Sequence, residues 1–127
     1  MNPTRRHFTG LLVMLLSVGA IAAEKPFSQK LFDEARAAGN PVVIHVHAVW
    51  CGTCKRQAGI VAPMLATPEF TDLILFRADF DTEKALLKTL NISNKSTFVV
   101  FKGNTEVGRS TGDTNKDRIA VLFRKAL

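Results

Sequence analysis

The sequence predicts a single α/β domain of three layers, a central mixed β-sheet covered by helices on both faces. Three observations carry this expectation. Apolar, β-branched runs of strand length alternate along the chain with segments of helical periodicity, the pattern of a buried sheet with crossover helices. The last two strand-like runs are separated only by Lys102-Gly103-Asn104, so they pair as an antiparallel hairpin. Finally, 127 residues with 46% apolar and 22% charged side chains supply one core and exclude a disordered, collagenous or low-complexity chain. No internal repeat, linker or second domain fits.

Taken in order, Ser28 precedes a segment in which Leu31, Phe32 and Ala35 fall on one helical face, and Gly39 followed by Pro41 stops that first helix. Pro41 introduces Val42-Val43-Ile44-His45-Val46-His47, a strand buried on both faces. From Thr53 to Ala66 the pattern is helical, with Ile60, Val61, Met64 and Leu65 apolar, until Thr67-Pro68 breaks it. Leu73-Ile74-Leu75-Phe76 is a second buried strand, closing with Asp79 and Asp81. Thr82 is then the expected cap of a helix in which Ala85, Leu86 and Leu90 face inward, ended by Asn91. Phe98-Val99-Val100-Phe101 and Thr105 to Arg109 form the hairpin, and Thr114 with Asp117 three residues on opens a last helix with Ile119, Leu122 and Phe123 as its apolar stripe.

Residues 1–22 stand apart from this domain of residues 23–127. Arg5 and Arg6 precede an apolar run from Leu11 to Ala23 that ends in small residues, the grammar of a targeting segment. Its 13 residues fall short of the ~20 needed to span a bilayer, and Ala20-Ile21-Ala22 offers a small-x-small cleavage site. A secretory signal cleaved after Ala22 or Ala23 is therefore expected, with a periplasmic destination; an uncleaved membrane anchor is the alternative. Thr4-Arg5-Arg6-His7-Phe8 resembles the bacterial twin-arginine signal, although the apolar Leu11–Leu16 stretch also suits the general secretory route.

The formal charge of +6 falls to +4 once Arg5 and Arg6 are removed. Only Lys55-Arg56 and Arg124-Lys125 are adjacent basic pairs beyond the leader, whereas a nucleic-acid footprint needs a clustered face. The charge is read as a solvated surface, with no nucleic-acid partner.

The chemistry lies in Trp50-Cys51-Gly52-Thr53-Cys54-Lys55, at the junction of a buried strand and a helix. There Cys51 meets unpaired backbone N–H groups and the positive end of the helix dipole, which favour a thiolate. Thiols in such C-x-x-C settings have pKa values of about 3.5 to 7.5 rather than ~8.5. Cys51 is the expected nucleophile, and Cys54, one turn on, reaches back to displace a partner from a mixed disulfide, with Gly52 permitting close approach. A static bridge across so small a loop would remove little chain entropy, and no second C-x-x-C or H-x-x-x-H completes a usual zinc site.

With its strand before the motif, its Trp50–Lys55 motif and its β-β-α ending, the chain resembles the thioredoxin superfamily over residues 27–127. Within it, Cys54-Lys55, Thr67-Pro68-Glu69-Phe70 and Ala85-Leu86-Leu87-Lys88 look most like the periplasmic C-terminal domain of the transmembrane thiol:disulfide interchange reductase. The resemblance implies a thioredoxin-like fold, a redox-active Cys51–Cys54 disulfide with no further cofactor, and protein thiols or disulfides as partners. A membrane thiol reductase is an implied redox partner, and the protein is expected to act as a monomer. It also implies a substrate-docking loop made by Trp50, Gly52, Thr53, Ser96 and Thr97.

Three departures from the family stand out. Where the family carries a cis-proline facing the cysteines, Asn94-Lys95-Ser96-Thr97-Phe98 puts Ser96. A cis bond without proline costs about 2.5 to 4 kcal/mol, so a trans bond and an altered docking loop are expected. The buried acid six residues before the first cysteine is replaced by His45, which as a neutral imidazole would accept the Cys54 proton, or else pack as an ordinary strand histidine bonded to a backbone carbonyl. The basic position on the second strand is Arg77, placed to pair with Asp79 or Asp81. Thirdly, His45 and His47 point to one face of their strand, so Cys51, Cys54, His45 and His47 form a candidate ligand set for Cu(I) or Zn(II).

The leading expectation is an exported thiol:disulfide oxidoreductase; a periplasmic copper- or zinc-binding or delivery module on the same fold is the alternative. Thr53 is neither the proline of reducing thioredoxins nor the histidine of oxidising relatives, which suggests intermediate to reducing character.

Overall fold

Pro41–His47 runs through the middle of a five-stranded sheet, and from Val42 onward all of its side chains are buried. The computed structural model describes residues 23–127, so the expected leader, residues 1–22, lies outside the described residues. In chain order the elements are β1 (Ala23–Pro26), α1 (Gln29–Ala37), β2 (Pro41–His47), α2 (Gly52–Leu65), β3 (Ile74–Asp79), α3 (Lys84–Thr89), β4 (Thr97–Lys102), β5 (Thr105–Thr111) and α4 (Lys116–Arg124). A short 3₁₀ turn at Pro68–Phe70 follows α2. The strands lie in the order β1-β3-β2-β4-β5. β1, β3 and β2 are parallel, while β4 opposes β2 and β5 opposes β4, giving the mixed sheet.

The period-2 alternation of β2 divides its side chains between two cores. Val42, Ile44 and Val46 pack with Phe32 and Ala35 of α1 and with Leu86 and Leu87 of α3. Val43 points the other way, into a cluster with Val61, Met64 and Leu65 of α2 and Ile119, Leu122 and Phe123 of α4. His45 and His47, in step with Val43, share that second face. Edge-on aromatic pairs fill both layers: Phe32 against Phe101 with ring centres 5.4 Å apart on one side, Phe98 against Phe123 at 5.2 Å on the other.

Local chemistry sets most boundaries. Ser28 caps α1 by accepting the Leu31 N–H at 3.3 Å, and Gly39, at φ +79°, turns the chain out of the helix. Gly103 turns the β4–β5 hairpin at φ +56°, and Asn91 follows α3 at φ +55°. α2 continues through Pro63, which has no N–H to give the Gly59 carbonyl.

Four expectations are corrected. β1 is an additional strand; its sequence Ala-Glu-Lys-Pro lacks an apolar run because it is an edge strand. α3 begins after Glu83 rather than being capped by Thr82, since Asp79 Oδ1 accepts the Asp81 and Thr82 N–H groups and the Asp79 carbonyl takes that of Glu83. The cap of α4 is Asn115, whose side chain accepts the Arg118 N–H at 3.0 Å, and not Thr114. Arg77 pairs with Glu24 of β1 at 2.5 Å instead of Asp79 or Asp81, because Asp79 is engaged by turn amides and Asp81 by the Trp50 indole.

Candidate active site

Beyond the end of β2 the chain turns at Ala48–Trp50, and Cys51 takes the N-cap of α2 with extended backbone angles, φ −94° and ψ 109°. Its Sγ accepts the Cys54 N–H at 3.1 Å, the role a serine or aspartate oxygen plays at other helix starts. A sulfur so placed is surrounded by amide hydrogens and sits at the positive end of the helix dipole, both of which favour negative charge on it. Cys54 lies on the first turn, its Cα 5.3 Å from that of Cys51, and the two sulfurs are joined in a disulfide. Cys54 is 0% exposed and Cys51 4%, so the edge of the pair that meets solvent belongs to Cys51.

Ser96 closes the site from the other side of the sheet's end. No peptide bond among the described residues is cis, and Ser96 has φ +60°. Its backbone is held on three sides: its N–H donates to the Val46 carbonyl at 2.8 Å, and its own carbonyl accepts from Gly112 N–H at 2.8 Å and Gln57 Nε2 at 3.1 Å. This places Ser96 Oγ 3.2 Å from Cys51 Sγ and 3.1 Å from Cys54 Sγ.

Gln57 is the residue that sequence reasoning missed. It is wholly buried, and its i, i+3 spacing from Cys54 puts both on one face of α2, the only signal that could have found it. Its Nε2 donates to the carbonyls of Ser96 and Asp113, the latter at 2.9 Å, and its Oε1 lies 2.9 Å from His45 Nε2. Two carbonyl acceptors fix which end of the amide is nitrogen, so the remaining oxygen faces His45 and must receive a proton from it. His45 Nε2 therefore carries hydrogen, and its bond is to Gln57 rather than to a cysteine or a backbone carbonyl.

The His45 ring stacks on Phe98 at 4.5 Å and is 1% exposed. Burial is the main cause that lowers its pKa from the ordinary 6.5 to about 4; the Gln57 hydrogen bond opposes the change, and the charges of His47 and Arg77 add to it. His47 is also lowered, by burial first and then by Arg77, with Glu24 and Asp79 pulling the other way. Because the native pKa of His45 lies below its unfolded value, the unfolded chain takes up the proton first as pH falls. The stability this residue contributes is complete above pH 6.5 and is lost as pH drops from 6.5 towards about 4, a loss of about 3 kcal/mol. Urea unfolding at pH 7.5 and pH 4.5 measures it against a His45→Gln variant, which keeps a donor for Gln57 but does not titrate. An equal acid loss in the two proteins would show that His45 is not its source.

The docking-loop residues surround this centre. Trp50 is 59% exposed; its indole N–H donates to Asp81 Oδ2 at 2.7 Å, and the Lys95 ammonium lies 4.9 Å from the ring centre. Gly52 opens α2 exposed and Thr53 is half-buried beside it. Thr97 is buried, its hydroxyl directed to the Asn94 carbonyl and to Thr111 Oγ1. The four donors weighed for a metal are not assembled as a ligand set. The cysteines are bonded to each other and His45 Nε2 is engaged by Gln57, and among the described residues no group of three or more His, Cys, Asp or Glu is placed to hold an ion.

A cysteine pair with two residues between its members, at the start of the helix that follows the central strand of a mixed sheet, defines a thiol:disulfide oxidoreductase. The family model described as Thioredoxin matches residues 21–125, and the chain belongs to the thioredoxin family. It is similar to the thioredoxin of Chlamydia trachomatis, 31% identical over 98 residues that make up 77% of this chain and 93% of that protein. The thioredoxin of Mycobacterium tuberculosis is 32% identical over 111 residues, 81% of this chain and 90% of that protein. Among solved structures, that of Trxlp from Edwardsiella tarda EIB202 superposes with a TM-score of 0.78 at 37% identity, covering 80% of this chain and 98% of that one.

Proposed function

We propose that this protein is exported and exchanges disulfides with protein partners, Cys51 attacking and Cys54 resolving. The single observation that carries the division of roles is placement. Cys51 caps the helix, accepts a backbone N–H and keeps the pair's exposed edge, whereas Cys54 is sealed behind it. A bulky partner meets Cys51 first, and only after a mixed disulfide forms does Cys54, held one turn away, compete for it. Macromolecular substrates are supported by the apolar surface next to Cys51, where Val49 is 71% and Trp50 59% exposed. Export is supported by Arg5-Arg6 ahead of the Leu11–Ala23 run. Since β1 runs parallel to β2, Ala23 lies at the end of the sheet away from Cys51, so removal of the leader would leave the dithiol untouched. A membrane thiol reductase is the proposed electron donor, which fits intermediate to reducing character.

His45 enters this reading as a packed residue that holds Gln57, because its bonded nitrogen already carries a proton. His45→Ala is expected to resolve mixed disulfides at the wild-type rate at each pH from 5 to 8; a slowing of about 10²- to 10⁴-fold would instead make His45 the general base.

Two measurements test the proposal. The full precursor expressed in a bacterium should be recovered from the periplasm without its leader, and the purified mature chain should speed insulin reduction by dithiothreitol. Cytoplasmic retention would refute export. No acceleration over dithiothreitol alone would refute exchange with protein disulfides.

A further inference from the structure

We propose that the Ser96 hydroxyl is a catalytic hydrogen-bond donor shared by the two sulfurs, serving Cys51 when the enzyme attacks and Cys54 when it resolves. The inference rests on the division of roles between Cys51 and Cys54 given above. Its basis is that one oxygen lies 3.2 Å from Cys51 Sγ and 3.1 Å from Cys54 Sγ. A serine hydroxyl has one proton to donate and turns freely about its Cβ–Oγ bond, so it can serve either sulfur without moving its heavy atoms. Those atoms are held in place by the three backbone hydrogen bonds to Val46, Gly112 and Gln57, at a φ of +60° that serine adopts only when its surroundings impose it. Ser96 is 5% exposed, so little water competes for the bond. A hydroxyl bonds a thiolate more strongly than a thiol or a disulfide sulfur, and therefore favours the ionised sulfur at each step.

In the first step the Cys51 thiolate, bonded by Ser96, attacks one sulfur of the partner's disulfide. That bond breaks, and the partner's other sulfur leaves as a thiolate and takes a proton from water. Cys51 Sγ is now neutral, and the Ser96 hydroxyl turns to Cys54. Cys54 gives up its proton to water, attacks Cys51 Sγ, and the mixed bond breaks. The departing partner sulfur takes up a proton in turn, leaving the partner's disulfide reduced to two thiols and the enzyme oxidised to the Cys51–Cys54 disulfide. Ser96 keeps its own proton throughout.

Other titratable or charged groups near the dithiol are Lys55 on α2, His45 and His47 on β2, Asp81 beyond β3 bonded to the Trp50 indole, and Lys95 ahead of β4 over the Trp50 ring. Substituting Ser96 leaves each of these in the chain, so the contribution of the hydroxyl can be separated from theirs.

Ser96→Ala and Ser96→Gly both delete the hydroxyl but act oppositely on the backbone, because glycine accepts a φ of +60° and alanine does not. The experiment follows thiolate absorbance and iodoacetamide alkylation of the reduced full domain against pH, together with the rate at which Cys54 resolves a preformed mixed disulfide. Both variants are expected to raise the Cys51 midpoint by about one pH unit, about tenfold less thiolate on the acid side, and to slow resolution about tenfold. Their equilibrium with glutathione should move towards the disulfide. If both variants match the wild type while the wild type shows an acid-shifted Cys51 and reduces insulin, the hydroxyl has no such role although the assignment of the cysteines stands. A shift in the alanine variant alone would trace to backbone strain and also overturn the proposal. A wild type in which Cys51 shows no acid-shifted titration and no exchange would refute the underlying roles instead.

Discussion

Cys51→Ser should remove disulfide exchange entirely, while Cys54→Ser should turn the protein into a trap that accumulates mixed disulfides with its partners. The first loss is complete because the attacking group is the thiolate at the helix N-cap, where neighbouring amides lower thiol pKa values to about 3.5 to 7.5, and a serine hydroxyl does not ionise in that range. In Cys54→Ser the Cys51 sulfur, at the edge of the pair, still attacks, but the fully buried group that would release the partner is gone. Non-reducing gels of protein exposed to a disulfide-bearing partner read both outcomes. Alkylation of the reduced wild type offers an independent check: modification of Cys54 ahead of Cys51 would reverse the assignment.

Phe98→Ala is expected to lower stability by about 3 to 5 kcal/mol, the range for truncating a fully buried phenylalanine. The ring is 0% exposed on β4, stacked on His45 at 4.5 Å and edge-on to Phe123 at 5.2 Å, so its removal opens a cavity between the sheet and α4. A second effect accompanies the first. Desolvation is the main cause holding His45 at about 4, and water entering beside the imidazole would return its pKa towards 6.5. The acid-dependent loss of stability between those two values would then shrink. Urea unfolding at pH 7.5 gives the stability, and titration of the His45 ring protons by NMR gives the pKa. A variant within about 1 kcal/mol of the wild type would contradict the packing described here.

The central strand was legible because Val42, Val43, Ile44 and Val46 form an apolar run bounded by Pro41, and parallel strands buried on both faces have that composition. The hairpin was legible from Lys102-Gly103-Asn104, and the position of Cys51 at a helix start from the change of period at the motif. β1 was not, because a four-residue edge strand of Ala, Glu, Lys and Pro carries no periodicity of its own and exists through its pairing with Ile74–Arg77. The missed β1 led directly to the wrong partner for Arg77, since Glu24 comes beside it only once that strand has docked. The caps at α3 and α4 failed for a more local reason. Thr82 and Thr114 each had rivals, in Asp79 and Asn115, and the geometry of the preceding turn decides which oxygen reaches the free amides.

The same division runs through the active site. Spacing within one turn of helix, the position of a thiol at a helix terminus and the alternation of His45 with Val46 are properties of a few consecutive residues, and these the sequence by itself determined. The hydroxyl between the sulfurs, the amide that binds both His45 and the Ser96 carbonyl, and the lowered basicity of that imidazole join residues 45, 42, 39 and 12 positions apart. Only the tertiary structure decided them. Hydrogen bonds of this kind require two elements to meet at a particular register and orientation, and burial withdraws the solvent that would otherwise make one polar partner as good as another.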